Sequence, residues 1–340
     1  MLILSNCLTE KVDEGCLKVA NSLVNKIRKR NADTIVVSYE RKPKYDSIHL
    51  PLNKLLINKE LYRLIRKSRE SVLYIPFPAK EWATAIRVFL LSCVCKKKVT
   101  VLFTMLCRCG AFGRLLFRLS GAQIVTLSRD TIDVYEKTVG KKRVNYLKTG
   151  VDTQKFIPVS KDQKEELRKK YNIDSNKKVL LHIGHLKSGR NIAELMKFDE
   201  DYQIILVVST LTQNEQDQEL KEQLLQRRNI ILIDSYMPNI EEIYQLSDAY
   251  FFPVVAHGNC IDVPLSCLEA AACNIPVVTT RYGEMSTFQG KEGFWFIDSF
   301  DREHLNQIVS TAIFAENSSS RESILEYDWN NAIEYFENLK

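Results

Sequence analysis

Residues 248–284 read DAYFFPVVAHGNCIDVPLSCLEAAACNIPVVTTRYGE, and this stretch carries the clearest structural signal in the chain. The apolar run from Ala249 to Pro253 predicts a buried strand. After a polar loop, the Leu- and Ala-rich segment from about Pro264 to Cys273 predicts a helix, and Ile275 to Thr280 predicts a second strand. Strand, helix and strand in this order form a βαβ unit of a parallel sheet. Ligands of such sheets bind at the carboxyl ends of the strands, where helix N-termini offer N–H groups to phosphate.

Outward from this stretch, strands alternate with helices along both halves of the chain, which predicts a doubly wound parallel sheet in each half. The chain has 340 residues, 45% of them hydrophobic and 26% charged, which is ordinary for a globular protein of two domains. The longest apolar run, Trp82 to Cys95, is too short to span a bilayer, and the N-terminus lacks the pattern of a signal peptide. Nine cysteines without regular spacing argue against a disulfide framework. We therefore expect reduced thiols and a cytoplasmic protein.

The charge is unevenly divided between the two halves. Residues 1–150 hold 29 Lys and Arg against 12 Asp and Glu, whereas residues 151–340 hold 19 against 30. This asymmetry predicts that the first half faces a polyanion. Basic residues cluster at Arg63 to Arg69, Lys96 to Lys98 and Arg108 to Arg118. The residues predicted to contact an anionic membrane surface are Phe112, Arg114, Phe117 and Arg118. The alternative is that these clusters are solvated faces of helices that cover a sheet.

The stretch around residue 269 also resembles a known donor-site signature. Pro253, followed by Leu265-Ser-Cys-Leu-Glu-Ala-Ala-Ala-Cys-Asn-Ile-Pro-Val-Val278, is similar to the pattern of glycosyltransferase family 4, the group 1 glycosyltransferases. TGVDTQKF, residues 149–156, resembles the interdomain segment of that family. The resemblance implies the GT-B fold, an α/β architecture of two Rossmann-like domains that face a central cleft. It also implies a C-terminal helix that crosses back to the first domain.

The domain boundaries follow from the interdomain segment, where Gly150 permits a turn and Pro158 stiffens the exit. We expect residues 1–150 to form an acceptor-binding domain and residues 151–322 to form a nucleotide-sugar donor-binding domain. Residues 323–340 would form the helix that packs back on the first domain.

The resemblance implies a donor site in the second domain. Glu269 would hold the nucleotide ribose, and Arg190 takes the place of a lysine that holds the donor diphosphate. Arginine suits this role physically because it makes bidentate contacts with phosphate. His185 stands where the family has an arginine, which weakens the charge clamp unless its ring is protonated. On spacing alone, this loop is equally consistent with a solvated charged loop. The predicted donor-binding residues are Gly184, His185, Lys187, Arg190, Tyr236, Met237, His257, Gly258, Leu265, Ser266 and Glu269.

Two further positions depart from the family pattern. Counting back eight residues from Glu269 gives Ile261 where the family has its first glutamate, and Asp262 is the nearest substitute, one residue out of register. The catalytic candidates are therefore Asp262, Glu269 and Arg190. Near the acceptor, the family has a loop with two glycines, and this chain offers only Glu14 and Gly15.

The function implied by the resemblance is retaining transfer of a sugar from a nucleotide-diphosphate sugar to a glycan or lipid-linked acceptor, in surface polysaccharide or glycolipid biosynthesis. Catalysis would rest on positioning and on charge stabilisation, with the leaving phosphate accepting the proton of the acceptor. No metal, no other cofactor and no nucleic acid is expected, and for His182 and His185 a core or phosphate role is favoured over zinc. Two alternatives stay open: a non-catalytic GT-B subunit or binding module, and a sugar-nucleotide epimerase of the same fold.

Overall fold

The computed structural model describes residues 1–10, 12–43, 45–68, 71–77, 82–96, 98–209, 216–315 and 319–338. Arg69 and Lys97, which belong to two of the basic clusters, lie outside the described residues. The chain divides into two compact units. Unit 1 comprises Met1–Thr149, Ile261–Val263 and Trp329–Lys340, and unit 2 comprises Gly150–Cys260 and Pro264–Asp328.

Each unit is built on one parallel sheet. The strands of unit 1 are β1 Leu2–Ser5, β2 Ile35–Ser38, β3 Ile48–His49, β4 Val72–Ile75, β5 Val99–Phe103, β6 Gln123–Thr126 and β7 Val144–Tyr146, in the order β3-β2-β1-β4-β5-β6-β7. Those of unit 2 are β8 Lys178–Gly184, β9 Tyr202–Val208, β10 Ile230–Ile233, β11 Ala249–Phe252, β12 Val277–Thr279 and β13 Phe294–Phe296, in the order β10-β9-β8-β11-β12-β13. The central strands β1, β4 and β11 are buried along their whole length, as parallel strands covered on both faces should be.

Helices cover both sheets. They are α1 Gly15–Arg30, α2 Lys59–Ser68, α3 Trp82–Val94, α4 Ala111–Ser120, α5 Ile132–Val139, α6 Lys161–Lys170, α7 Gln218–Leu225, α8 Ile240–Gln245, α9 Leu265–Ala272, α10 Arg302–Phe314 and α11 Trp329–Glu337. Short 3-10 turns include Ser188–Arg190 and Gly283–Phe288. The doubly wound sheet expected in each half is confirmed. So is the predicted βαβ unit, in which β11 pairs in parallel with β12 through Tyr250 and Val277.

The interdomain segment is fixed by the end of unit 2. Asp328 accepts hydrogen bonds from the backbone N–H and the hydroxyl of Thr153, at 3.0 and 2.6 Å. Val151 forms a β-bridge with the same aspartate. Helix α11 begins at the next residue and belongs to unit 1, where it packs against α1, and Arg30 and Glu337 form an ion pair at 3.3 Å. Asp328 therefore fixes the interdomain segment within unit 2, and the Arg30–Glu337 ion pair joins α1 to α11 within unit 1.

Candidate functional site

The loop after β8 holds a buried cation. Arg190 is only 9% exposed, and the described part of the chain gives it no ion-pair partner. A charged side chain withdrawn from water without a counter-ion is unfavourable, so such a site favours an incoming anion. Lys187, half-buried in the same loop, adds a second positive charge. The positive charges of Arg190 and Lys187 therefore favour an anion at the position predicted for the donor diphosphate.

The backbone around Arg190 is tied to its neighbours. Gly184 ends β8, and a Cβ at this residue would lie 2.9 Å from Nη1 of Arg190, so no larger residue fits beside the guanidinium. Asn191 donates from its side-chain amide to the carbonyl of Pro253 at 3.0 Å. Asn259 donates to the carbonyl of Gly189 at 2.7 Å, which joins this loop to the loop after β11. The guanidinium therefore sits on a braced loop.

Two histidines beside Arg190 are neutral. Nδ1 of the fully buried His182 lies 2.8 Å from the carbonyl of Phe251, and burial lowers the pKa of His182 to about 4, so Nδ1–H donates to that carbonyl. Burial, followed by the charges of Arg190 and Lys187, lowers the pKa of His185 to about 3. The neutral form of the His185 ring is therefore favoured in the absence of a bound anion.

Glu269 lies inside unit 2 and not on its surface. It is 4% exposed on α9, and Tyr244 donates its phenol O–H to Oε2 of Glu269 at 2.8 Å. Burial and the nearby carboxylate raise the pKa of Tyr244 well above its ordinary value, so the phenol stays protonated and keeps donating. Glu269 is thus a buried residue, and the hydrogen bond from Tyr244 orients its carboxylate.

The N-terminus of α9 is open to an anion. Pro264 precedes the helix, no side chain caps it, and its first turn contains no acid. The side chain of Leu265 is buried in the core, whereas Ser266 is half-exposed. Tyr250, in β11, donates its O–H to the carbonyl of Ile183 at 3.2 Å and also bonds the side chain of Ser266. The free N–H groups of such a helix end suit a phosphate oxygen.

The loop after β11 presents two predicted residues to solvent. His257 and Gly258 are both exposed, and the His257 ring stacks on Tyr282 with centroids 5.5 Å apart. The Tyr282 phenol accepts a hydrogen bond from the N–H of Cys260 at 3.1 Å and donates to its carbonyl at 2.6 Å. The loop is therefore pinned at its end while its tip stays accessible.

The turn after β10 is also accessible. Tyr236 is 41% exposed and Met237 is half-buried. Asp234 opens the turn and is held by Lys221 and by Gln216, whose amide donates to Oδ1 at 3.2 Å. A nucleotide base can reach this turn without displacing core side chains.

Sequence reasoning missed the residues that brace the site. Tyr244, Tyr250 and Tyr282 lie in or next to apolar segments, where a tyrosine looks like an ordinary core residue. Asn191 and Asn259 look like ordinary loop residues. The one available signal was that each of these residues lies near a predicted site residue in the sequence. That signal becomes informative only once the strand order is known.

Asp262 needs a correction. The prediction placed it in the donor-binding domain, but the structure assigns Ile261–Val263 to unit 1. The N–H of Asp262 donates to the carbonyl of Thr104, just after β5, at 2.9 Å, and the residue is 6% exposed. Burial, and then the charge of Asp130, raise the pKa of Asp262 to about 7. Asp262 therefore lies in unit 1, and its part as the substitute for the first glutamate of the family stays a prediction.

The residues predicted near the acceptor lie close to the same segment. Glu14 precedes α1 and is 9% exposed. A Cβ at Gly15 would lie 2.8 Å from Cδ1 of Ile261, so a larger residue would require that side chain to shift. The structure thus brings Gly15, Ile261 and Asp262 together in unit 1, and the acceptor-binding role of Glu14 and Gly15 stays a prediction.

The predicted membrane contact is partly wrong. Phe117 is 1% exposed and packs edge-on against Phe103, with ring centroids 5.9 Å apart, so it belongs to the core. The exposed apolar residues of α4 are Phe112, Leu115 and Leu119. Arg114 is exposed, whereas the guanidinium of Arg118 donates to the carbonyls of Thr138 and Lys137 at 2.8 and 3.1 Å. Among the residues that the structure describes, no helix is both long and apolar enough to cross a membrane.

Comparison with known proteins finds a family match in the second half of the chain. Residues 163–327 match the family model described as Glycosyl transferases group 1. No curated protein sequence matches the chain significantly. The resemblance predicted from residues 248–284 is therefore confirmed for the part of the chain that contains the donor-site residues.

Solved structures show the fold. A glycosyltransferase from Rickettsia africae is 14% identical, with a TM-score of 0.78, covering 100% of this chain and 97% of that one. Anabaena HepE in complex with UDP and glucose is 13% identical, with a TM-score of 0.74, covering 99% and 98%. WaaG, a glycosyltransferase involved in lipopolysaccharide biosynthesis, is 16% identical, with a TM-score of 0.65, covering 99% and 95%. The predicted GT-B fold is confirmed.

Proposed function

We propose that this chain, whose residues 163–327 match the model of the group 1 glycosyltransferases, is a retaining glycosyltransferase that uses a nucleotide-diphosphate sugar. Its acceptor would be a glycan or a lipid-linked glycan, in surface polysaccharide or glycolipid biosynthesis. The observation that carries the proposal is Arg190, a buried guanidinium without an ion-pair partner in the described part of the chain. The complexes of Anabaena HepE with UDP and UDP-glucose support a donor of this class.

The donor would bind along the carboxyl edge of the unit 2 sheet. Its diphosphate would lie between Arg190, Lys187 and the open N-terminus of α9. Its ribose hydroxyls would reach Glu269, and its base would lie against the turn of Tyr236 and Met237. The transferred sugar would meet the loop that carries His257 and Gly258. Each position matches the chemistry of the group it would receive: cations for phosphate, a carboxylate for hydroxyls, and an accessible aromatic side chain for a base.

The reaction would need little covalent participation by the protein. As the glycosidic bond to the diphosphate breaks, negative charge develops on the leaving phosphate, and Arg190 is held where it stabilises that charge. The leaving phosphate would take the proton of the acceptor hydroxyl on the same face of the sugar, which retains the anomeric configuration. Because fixed cations already offset the charge, we propose that no metal is required.

The proposal has a direct test. The protein is incubated with a panel of nucleotide sugars, with and without a lipid-linked acceptor, and release of nucleoside diphosphate is measured. We expect release from one donor that increases when the acceptor is present, and NMR of the product should show the anomeric configuration of the donor. Product of inverted configuration would overturn the retaining mechanism.

A binding module without transferase activity is the second candidate, and one observation favours it. His185 is neutral at neutral pH, so the donor loop has one fixed charge fewer than the family pattern provides. A chain of this kind would bind nucleoside diphosphate in calorimetry but release none from any donor. The same panel of nucleotide sugars therefore separates the two candidates.

We further propose that the protein acts at the cytoplasmic face of a membrane, held by reversible contacts of unit 1. The 29 Lys and Arg of residues 1–150 supply attraction to anionic lipid. Phe112 and Leu119, exposed on α4, supply apolar side chains that can enter the interface. A peripheral position would bring the enzyme to a lipid-linked acceptor.

A further inference from the structure

A second basic site lies in unit 1, and none of the predicted donor-binding residues lines it. A cavity of about 750 Å³ opens between α4, α5 and the loop after β5, and we name it the α4–α5 cavity. The basic residues that line it are Arg108, Arg114, Arg118 and Lys137. None of the described residues that line it is acidic. Its volume falls in the range of cavities that hold small organic ligands, roughly 300–1,000 Å³.

Its cations differ in how they are used. The guanidinium of Arg118 donates hydrogen bonds to the carbonyls of Thr138 and Lys137, so it holds α4 against the end of α5. Arg108, Arg114 and Lys137 have no ion-pair partner in the described part of the chain. Arg118 therefore has a structural role in the cavity wall, and the other three cations can attract an anion.

The cavity wall is also apolar. Leu106, Leu115 and Val134 line it, and Leu115 and Val134 are 49% and 43% exposed. Phe112 and Leu119, on the same helix as Leu115, continue the exposed apolar surface. A small inorganic anion would leave most of this volume and all of this apolar wall unused. The combination of charge and apolar surface matches a ligand that carries both.

We propose that the α4–α5 cavity binds the phosphate group of an amphiphile, with the phosphate at Arg108 and Arg114 and the adjoining apolar chain along Leu115 and Val134. This is a saturable site for single molecules, distinct from the diffuse attraction of a basic surface to a membrane. It does not depend on the proposed transfer reaction, because none of the donor-site residues lines the cavity.

The alkylation rate of Cys109 can report whether the α4–α5 cavity holds a ligand. Cys109 lines the cavity, and a hydrogen bond with the Cys107 thiol lowers the pKa of Cys109 to about 7, with the charge of Arg114 acting in the same direction. A substantial fraction of thiolate is therefore present at neutral pH, and thiolate is the form that alkylating reagents attack. A bound phosphate should slow this alkylation, both by covering the sulfur and by disfavouring a second negative charge beside it. Cys93 is exposed and does not line the cavity, so it serves as the internal control.

The test uses water-soluble monomeric probes on the full chain. Geranyl phosphate and dihexanoyl phosphatidic acid carry a phosphate and an apolar group, geraniol carries only the apolar group, and inorganic phosphate only the anion. We expect one-to-one binding of a phosphate amphiphile at least about tenfold tighter than of either half. The preferred amphiphile shows whether a prenyl or a glycerolipid phosphate is the source. The same probe should slow iodoacetamide labelling of Cys109 but not of Cys93.

Variants make the assignment specific to the cavity. Arg114→Glu should weaken binding of the preferred amphiphile about tenfold or more, whereas Lys142→Glu, the same charge change at an exposed residue outside the cavity, should change it less than about twofold. Both positions are exposed, so melting temperatures should match that of the parent protein. Equal effects of the two variants, equal affinity for inorganic phosphate and amphiphile, or unchanged Cys109 labelling would each overturn the proposal.

Discussion

The loop after β8 in unit 2 and the loop after β5 in unit 1 both follow the carboxyl end of a parallel strand, and both carry arginine. They differ in burial and in bracing. Arg190 is 9% exposed on a loop tied to its neighbour by Asn259, whereas Arg108 and Arg114 are exposed. Because a buried charge is screened less than an exposed one, and a braced loop loses less entropy on binding, we expect the anion site at Arg190 to be the stronger of the two. Residue type and topology alone would not distinguish them.

The largest effect expected from this difference is at Arg190. Arg190→Ala should weaken binding of a nucleoside diphosphate by about 10- to 100-fold, the scale of a charged hydrogen bond lost from a buried site, and should barely affect the nucleoside. Calorimetry with both ligands measures the two losses. Arg281→Ala, which removes an exposed arginine paired with Asp298 in the same unit, is the control. Equal losses for diphosphate and nucleoside would show that Arg190 is only structural.

The next effect concerns Glu269. Glu269→Gln keeps the size of the side chain but removes its charge, and we expect it to lose roughly 1–3 kcal/mol of donor binding or transition-state stabilisation. Tyr244→Phe should lose less and should be coupled to the first change, because the phenol donates directly to the carboxylate. A double-mutant cycle in the assay of nucleoside diphosphate release measures that coupling. Unchanged activity at an unchanged melting temperature in Glu269→Gln would remove it from the site.

The positions of these two residues in the fold were predictable because they follow from sequence that is local to each, whereas their roles stay predictions. Glu269 lies on a helix flanked by two strands, and Arg190 follows a strand by a few residues, so the pattern of elements fixes where each lies. The same pattern predicted both parallel sheets. Phe117 failed because α4 carries apolar residues on both its faces, and spacing alone does not show which face the sheet covers.

The domain of Asp262 was predicted wrongly for a different physical reason. Ile261–Val263 leaves unit 2 for three residues and bonds the backbone after β5 in unit 1. Such a return depends on contacts between residues more than 150 positions apart, as the bond from Asp262 to Thr104 shows. No local sequence pattern in the loop from Ala256 to Asp262 predicts this return to unit 1. The tyrosines that brace the donor site escaped prediction for the same reason, since their partners are set by strand order.

Asp262 gives a third and smaller effect, on stability. Its folded-state pKa of about 7 lies above the ordinary aspartate value of 3.8. The folded chain therefore binds more protons than the unfolded chain between about pH 4 and pH 7, and stability falls as the pH rises through this window. Asp262→Asn cannot ionise, so it should be more stable than the parent at pH 8 by on the order of 2 kcal/mol.

The difference between the two proteins should shrink as the pH falls towards 4 and vanish near pH 3, where the parent aspartate is largely protonated in both states. Denaturant unfolding at pH 4.5, 6 and 8 checks this dependence. Asp133→Asn, on the exposed side of α5, is the matched control and should show no such trend. A stability difference that does not change with pH would show that Asp262 is ionised throughout the range. If Asp262 also acts in the reaction, its asparagine variant should lose turnover while gaining stability.

The smallest effects per residue are expected at the exposed surface of unit 1. Each Lys or Arg near an anionic leaflet contributes about 1 kcal/mol, and this attraction is screened within about 3 Å at 1 M salt. We expect the protein to co-sediment with vesicles that contain anionic lipid, to bind neutral vesicles weakly, and to be released by high salt. Phe112→Ser should reduce this binding several-fold, because the exposed ring is lost from the interface.

Ile57→Ser is the matched control, since Ile57 is an apolar residue of unit 1 that is 52% exposed but does not lie on α4. Arg118 is a poor choice for charge reversal, because its guanidinium bonds the end of α5 and its loss would disturb the fold. Equal binding to neutral and anionic vesicles would mean that the charge of residues 1–150 does not anchor the protein. If Phe112→Ser and Ile57→Ser behaved alike, α4 would have no special part in the contact, and the basic residues of unit 1 would account for the binding without it.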